Sequence, residues 1–337
     1  MHGGAQTPPI SPREAAAGAV RVGEPGFVGE ELWWLTSHPD APGSQVLVSG
    51  AAGEVPRRRS PEGLSVRSRL FVYGAASWCA TPHGAVGVDA ASQQLVLLDG
   101  ATAVVVDQEG PPRRTGDPAS VPGTAWVIVV TEPAEADGPR SLCAVDLTTS
   151  RRVELARDDG FLAEPTVDAT GTRVAWLRWP PRTVPWDAAE LWTARLSVHE
   201  RGVALVDARR TDGGPCGSVG QPTWLGDGSL AYVAEGAGFW QPYVIDPRGA
   251  ARRLCARRAE FQRPRWTTCR WLGPLDDGAL ACAYVAQGRE HVGVISADGD
   301  LAELDQPCVR VDGLCARGRR VGWVGATTSE QLSLIHI

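Results

Sequence analysis

The chain has no lysine, so arginine supplies every basic side chain apart from histidine. The 33 basic residues are outnumbered by 39 acidic residues, which gives a formal net charge of −6. Proteins that bind nucleic acid carry clustered positive charge, and the only strong basic run here is Arg57-Arg58-Arg59. We interpret this run as a solvated loop and predict no nucleic-acid partner.

Long hydrophobic runs are also missing from the sequence. No segment reaches the roughly 18 apolar residues that a membrane-spanning helix needs. The apolar stretch Ala15–Val20 is too short for the core of a secretory signal, and it follows the acidic Glu14. The sequence therefore predicts no membrane partner and a cytoplasmic location.

Metal-binding patterns are absent from the cysteines and histidines. The eight cysteines include no Cys-x-x-Cys pair, and the six histidines form no His-Glu-x-x-His or other close ligand pair. We predict no metal site and no cofactor, and interpret most cysteines as small buried side chains. Three carboxylate pairs are interpreted as turn residues rather than acid–base groups: Glu30-Glu31, Asp158-Asp159 and Asp276-Asp277.

A serine nucleophile is missing as well. Hydrolases of the α/β type expose their serine on a strained Gly-x-Ser-x-Gly turn, in which small residues are required. The closest segment is Gly63-Leu64-Ser65-Val66-Arg67, which lacks the final glycine. The sequence therefore predicts no catalytic, cofactor-binding or metal-binding residue in this chain.

The chain does contain a repeated unit in which a proline is followed by a tight turn and an alternating apolar run. The proline–turn segments are Glu164–Gly171, Gln221–Gly228 and Arg263–Trp266, the last followed by Asp276-Asp277-Gly278. The apolar runs are Val174–Leu177, Leu230–Val233 and Leu280–Tyr284. We interpret each proline as the start of an exposed strand and each unit as a β-hairpin.

The spacing of these units predicts a β-propeller. The prolines are 57 residues apart (165 to 222) and then 42 residues apart (222 to 264), near the ~40–50 residues of a propeller blade. We predict an all-β fold of seven blades, each a four-stranded antiparallel sheet, with the last blade incomplete. Four tryptophans are expected at equivalent positions between blades: Trp176, Trp192, Trp224 and Trp266.

The predicted domain organisation has three parts. Ser11-Pro12-Arg13-Glu14 is a capping box that predicts a short helix inside an N-terminal extension, residues 1–25. The propeller is expected over residues 26–330. Residues 331–337 match no blade pattern, and we interpret them as a non-native-looking tail.

Several segments together resemble the propeller of the acylaminoacyl-peptidase and dipeptidyl-peptidase-like members of the prolyl oligopeptidase family. In chain order these segments are Glu31–Leu35, Trp176–Trp179, Val184–Trp192, Gly236–Tyr243 and Glu260–Trp266. The resemblance extends over about residues 10 to 330. It implies a seven-bladed propeller that sits over an α/β-hydrolase domain and limits access to its catalytic serine, so that peptides enter and folded proteins do not.

Two departures from the family pattern affect this expectation. After Arg69 the family pattern continues His-Glu-Tyr-Gly-Gly, whereas this chain has Phe71-Val72-Tyr73-Gly74-Ala75, so an acidic side chain for a substrate amino group is missing. The chain also stops before a hydrolase domain could begin. We therefore expect a truncated, non-catalytic propeller whose partners are its own missing hydrolase domain and short peptides.

Two other functional classes remain open from the sequence. A stand-alone propeller used as a binding scaffold would be favoured if an N-terminal strand completed the last blade. A propeller hydrolase, such as a metal lactonase, would need carboxylates and a histidine that converge on the central channel. No such set is evident in the sequence.

Overall fold

A computed structural model describes most of the chain. The described residues are 11, 20–37, 41, 43–51, 54–82, 84–98, 102–106, 111–135, 138–199, 202–215, 217–236, 238–263, 270–328 and 333–336. The helix expected within residues 12–17 and the tryptophan at position 266 lie outside them.

The first three sheets are antiparallel and each has four strands in chain order. Sheet 1 comprises β1 (Arg21–Val28), β2 (Glu31–Ser37), β3 (Val46–Gly50) and β4 (Arg57–Arg58). Sheet 2 comprises β5 (Trp78–Thr81), β6 (Gly84–Val88), β7 (Leu95–Leu98) and β8 (Ala103–Val105). Sheet 3 comprises β9 (Arg113–Ser120), β10 (Trp126–Pro133), β11 (Arg140–Asp146) and β12 (Arg152–Asp158).

The next three sheets repeat this arrangement. Sheet 4 comprises β13 (Phe161–Val167), β14 (Arg173–Trp179), β15 (Glu190–His199) and β16 (Gly202–Gly213). The helix α1 (Pro185–Ala188) lies in the loop between β14 and β15. Sheet 5 comprises β17 (Val219–Trp224), β18 (Leu230–Gly236), β19 (Phe239–Ile245) and β20 (Ala251–Arg253). Sheet 6 comprises β21 (Leu272–Pro274), a 3₁₀ turn (Asp276–Gly278), β22 (Leu280–Ala286), β23 (Arg289–Ile295) and β24 (Leu301–Glu303).

The last sheet has three strands among the described residues. Sheet 7 comprises β25 (Arg310–Arg317), β26 (Arg320–Ala326) and β27 (Ser333–His336). Strand β27 lies within the segment expected to be a tail and pairs antiparallel with β26. At the other end, β1 begins at Arg21 and extends across the boundary expected at residue 25.

The first strands of the sheets form a closed ring. Strand β1 packs on β5, β5 on β9, and the series continues through β13, β17, β21 and β25, which returns to β1. This confirms an all-β propeller with six blades of four-stranded antiparallel sheet. The sequence predicts seven blades with the last one incomplete; the structure shows six four-stranded blades and one three-stranded sheet among the described residues.

The core lies between adjacent sheets, where the apolar face of each sheet packs against the apolar face of its neighbour. Fully buried side chains such as Trp179, Tyr232, Tyr284 and Trp323 fill these interfaces. The expected equivalence of the tryptophans was wrong, because Trp176, Trp192 and Trp224 lie on the second, third and first strands of their sheets, respectively.

Membrane-spanning helices are not present among the described residues, where α1, four residues long, is the only α-helix. This helix belongs to the loop that separates β14 from β15. Its Trp186 packs against the core of sheets 5 and 6, while Trp192 stacks on Trp176 at 6.2 Å within sheet 4. The loop therefore joins neighbouring blades.

The connection from sheet 1 to sheet 2 reaches over sheet 3. The Ser68 hydroxyl donates a hydrogen bond to the carbonyl of Thr115 at 2.7 Å. A Cβ added at Gly116 would lie 2.5 Å from Ser68 Oγ and 2.8 Å from the Ala75 methyl group. This close approach requires glycine at position 116.

We therefore expect Gly116→Ala to destabilise the protein by about 1–3 kcal/mol through overpacking. The matched control is Gly226→Ala, because a Cβ at Gly226 meets no atom within 4 Å. Urea denaturation of both variants measures the effect. Equal denaturation midpoints for the two variants would show that the connection does not pack tightly on sheet 3.

Candidate functional site

A cavity of about 340 Å³ occupies the centre of the ring. Six of the seven sheets contribute to its lining through the first strand or the residues that lead into that strand, and among the described residues sheet 5 contributes no lining residue. A volume of this size lies at the lower end of the range for small-molecule pockets. The central channel is therefore the candidate functional site.

The first strands of sheets 1, 3, 4 and 5 share a distortion at the channel. In each strand the pairing register shifts at a polar residue followed by proline. These polar residues adopt left-handed backbone conformations: Glu24 (φ 47°), Asp117 (φ 51°), Glu164 (φ 49°) and Gln221 (φ 55°). Such bulges twist a strand locally and re-aim a side chain.

These bulges correct our interpretation of the repeated prolines. Pro165 and Pro222 lie inside β13 and β17, two of the first strands that form the ring, rather than at the start of exposed strands. Proline has no N–H to donate, so it is tolerated at a bulge in the unpaired edge of a first strand.

Each re-aimed side chain bonds the backbone of a neighbouring sheet. Glu24 accepts hydrogen bonds from the Ser77 backbone N–H at 2.7 Å and from the Ser77 hydroxyl at 2.9 Å. Asp117 accepts the N–H of Ala76 at 2.8 Å with Oδ1 and the N–H of Glu164 at 2.9 Å with Oδ2. Three carboxyl oxygens therefore satisfy backbone donors at the seams between sheets 1, 2, 3 and 4.

The same arrangement continues around the channel. Glu164 Oε2 accepts the N–H of Gln221 at 3.2 Å, which connects sheets 4 and 5. Gln221 Oε1 then accepts the N–H of Trp271 at 2.6 Å, which connects sheets 5 and 6. We call Glu24, Asp117, Glu164 and Gln221 the channel braces.

Burial changes the acid–base behaviour of the three carboxyl braces. Burial raises the pKa of Glu24 and of Glu164 to about 7 in each case, and the charge of Asp117 acts in the same direction on both pKa values. Burial also raises the pKa of Asp117, against the effect of its two backbone donors and of Arg270. The ionisation of Asp117 therefore disfavours the ionised forms of Glu24 and Glu164.

Arg270 contributes a positive charge to the channel lining. It precedes β21, and its charge favours the ionised forms of Asp117 and Glu164 across the channel. The thiol of Cys79 also lines the channel, and burial raises its pKa to about 12, so it is a poor nucleophile at neutral pH.

Carboxyl groups from several blades thus converge on the channel, which the sequence did not reveal. They do not form a metal site: among the described residues, no three His, Cys, Asp or Glu side chains are placed to hold a metal ion. Each carboxyl brace instead accepts at least one backbone N–H. This geometry gives no support to a metal-dependent lactonase.

The carboxylate pairs noted in the sequence lie away from the channel. Asp158 forms an ion pair with Arg178 at 2.6 Å, and Glu31 accepts a hydrogen bond from the indole of Trp33 at 3.1 Å. Asp276 and Asp277 form the 3₁₀ turn before β22. Ser65 accepts the backbone N–H of Gln45 at 3.0 Å.

The segment that departs from the family pattern is a strained, exposed turn. Phe71 and Val72 both adopt left-handed conformations (φ 58° and 69°), and Val72 and Tyr73 are 74% and 71% exposed. The Phe71 N–H donates to Glu132 at 2.8 Å, and the Phe71 ring packs edge-on against Phe161 at 5.3 Å. A valine stands where the family pattern has an acidic residue.

The chain is a β-propeller of the type found in puromycin hydrolase and the prolyl oligopeptidases. A crystal structure of puromycin hydrolase matches with a TM-score of 0.87 at 29% identity, covering 98% of this chain and 54% of that chain. A puromycin-hydrolysing peptidase of Mycobacterium tuberculosis matches with a TM-score of 0.86 at 24% identity, covering 98% and 53%, respectively. Prolyl oligopeptidase B from Galerina marginata matches with a TM-score of 0.63 at 10% identity, covering 94% and 48%.

The chain therefore corresponds to the propeller portion of these peptidases and spans about half the length of the structures it matches. The resemblance noted in the sequence is confirmed. No family model and no curated protein gives a match to the sequence.

We expect Asp117→Ala to destabilise the propeller more than any exposed acidic substitution. The variant leaves the N–H groups of Ala76 and Glu164 without their acceptors, at about 1–3 kcal/mol for each orphaned donor. The control is Glu62→Ala, at an exposed turn position. Chemical denaturation at constant pH compares the two, and similar midpoints would contradict a bracing role for Asp117.

Proposed function

We propose that the chain is the substrate-gating propeller portion of a serine oligopeptidase that acts on short peptides. The observation that carries this proposal is the narrow channel inside the ring of seven first strands, in a chain that matches about half of puromycin hydrolase. A channel of about 340 Å³ accepts a few residues of extended peptide and excludes a folded domain. The partner is an α/β-hydrolase domain carrying the catalytic serine, and the location is the cytoplasm.

We also propose that sheet 7 is an incomplete seventh blade. Its first strand, β25, completes the ring between β21 and β1 in the same way as the first strands of the six four-stranded sheets. Among the described residues the first strand of the chain, β1, pairs within sheet 1 and does not complete sheet 7. That arrangement favours the gating propeller over the stand-alone scaffold.

Gating can be tested in a longer protein that joins this propeller to its hydrolase domain. We propose that this domain carries a Gly-x-Ser-x-Gly motif. Ala119→Trp would narrow the channel, since Ala119 lines it, whereas the control Ala208→Trp places the same side chain on the exposed outer strand β16. Gating requires that only Ala119→Trp lowers kcat/KM for peptides; equal values for the two variants would contradict entry through the channel.

We expect the purified 337-residue chain to hydrolyse neither acylated amino-acid nor dipeptide chromogenic substrates. The reason is that no serine in the sequence has the Gly-x-Ser-x-Gly context. Puromycin hydrolase assayed with puromycin in the same buffer provides the positive control for the assay conditions. Turnover by the chain that a serine-directed phosphonate abolishes would contradict the expectation.

A further inference from the structure

The hydrogen bonds of the carboxyl braces indicate where a proton can reside in the channel. Both oxygens of Asp117 accept backbone N–H groups, so a proton on Asp117 would displace one of them. Glu164 uses Oε2 for the Gln221 N–H, and its Oε1 accepts no hydrogen bond from the described residues. Glu164 can therefore carry a proton on Oε1 without losing its contact to sheet 5.

Glu24 can also carry a proton without breaking a seam. Its Oε2 accepts the Ser77 N–H, and its Oε1 meets the Ser77 hydroxyl, which lies 3.3 Å from the carbonyl of Ala75 as well. When Oε1 is protonated, it donates to Ser77 Oγ, and the Ser77 hydroxyl donates to Ala75 instead. Every polar group in this arrangement keeps a partner.

We propose that Glu24 and Glu164 form a protonation-dependent clasp on the channel. When both side chains are protonated and Asp117 is ionised, the seam between sheets 1 and 2 and the seam between sheets 4 and 5 stay closed. Release of the two protons to solvent loosens these seams. The clasp lies within this chain and requires no hydrolase domain.

Charge in the channel provides the physical reason. The ionisable groups that line the channel among the described residues are Glu24, Cys79, Asp117, Glu164, Arg270 and Cys315. Burial raises the pKa of both thiols to about 12, which leaves them neutral. With Glu24 and Glu164 protonated, Asp117 and Arg270 balance one another. When both are ionised, three carboxylates face one guanidinium, and the desolvated charges repel one another.

The direction of the pH effect follows from these pKa values. A carboxyl whose folded pKa of about 7 exceeds its ordinary pKa of 4.5 contributes stability that is complete below pH 4.5. That contribution is lost as the pH rises through about 7. The seams of sheets 1–2 and 4–5 should therefore be tighter at about pH 5.5 than at about pH 8.5.

Gln221 provides a matched control within the same ring. It occupies the same bulge position in sheet 5 and bonds the Trp271 N–H with an amide oxygen that does not titrate. Glu164→Gln and Glu24→Gln therefore install a side chain that the ring already uses, and we expect both variants to fold.

Hydrogen exchange of individual amides tests the clasp in the whole 337-residue chain. Between about pH 5.5 and about pH 8.5, corrected for intrinsic rates, the amides of Ser77 and Gln221 should lose at least about tenfold more protection than the amide of Trp271. In the Glu24→Gln, Glu164→Gln double variant this excess loss should disappear. The melting temperature of the double variant should also fall less with pH than that of the wild type or of the exposed control Glu235→Gln.

Three outcomes would overturn the clasp. One is equal loss of protection at Ser77, Gln221 and Trp271 in the wild type. Another is an unchanged pH dependence of the melting temperature in the double variant. The third is an effect of Glu235→Gln as large as that of the double variant, which would assign the pH dependence to surface charge.

Discussion

The hydrogen bond from a channel side chain to the backbone of the neighbouring sheet is the interaction on which the rest of the ring depends. Each bulge costs about 1–3 kcal/mol of backbone strain at a residue with positive φ. The bulge aims a carboxyl or amide oxygen along the channel wall, where the next sheet presents an unpaired N–H. A buried N–H group without an acceptor is unfavourable, so the strain in one sheet is offset by the hydrogen bond that its brace accepts from the backbone of the next sheet. The sheets are therefore joined at the channel by polar contacts and farther out by apolar packing.

The sequence predicted the parts of the fold that depend on local patterns. Alternation in Leu230–Val233 and Leu280–Tyr284 has a period of two residues, so strands and hairpins follow from neighbours along the chain. The spacing of the hairpin units and the family resemblance both predicted the propeller, and the match to puromycin hydrolase confirmed it. The blade count was harder to predict, because sheet 7 has only three strands among the described residues.

The candidate site could not be predicted in the same way because its contacts are distant in sequence. Glu24 bonds Ser77, 53 residues away, and Glu164 bonds Gln221, 57 residues away. Nothing local distinguishes these carboxyl groups from those in surface turns. One signal was available: an acidic or amide residue precedes proline at positions 24, 117, 164 and 221. We interpreted two of these prolines as strand starts and so assigned their side chains no role.

The seams of the ring differ in what holds them. From sheet 1 through sheet 6 the braces accept backbone N–H groups at buried or partly buried positions, where the low local dielectric strengthens such bonds. The seam between sheets 7 and 1 has a different composition: Arg320 pairs with Glu30, whose side chain is 82% exposed, and Gly313 approaches the ring of Pro25. An exposed ion pair contributes about 0–1 kcal/mol and is weakened by salt. Stability at that seam therefore depends mainly on apolar packing of Phe27 and Trp34 with Cys315. Ionic strength acts on the exposed Arg320–Glu30 pair at this seam, whereas protonation acts on the carboxyl braces at the other seams of the same ring.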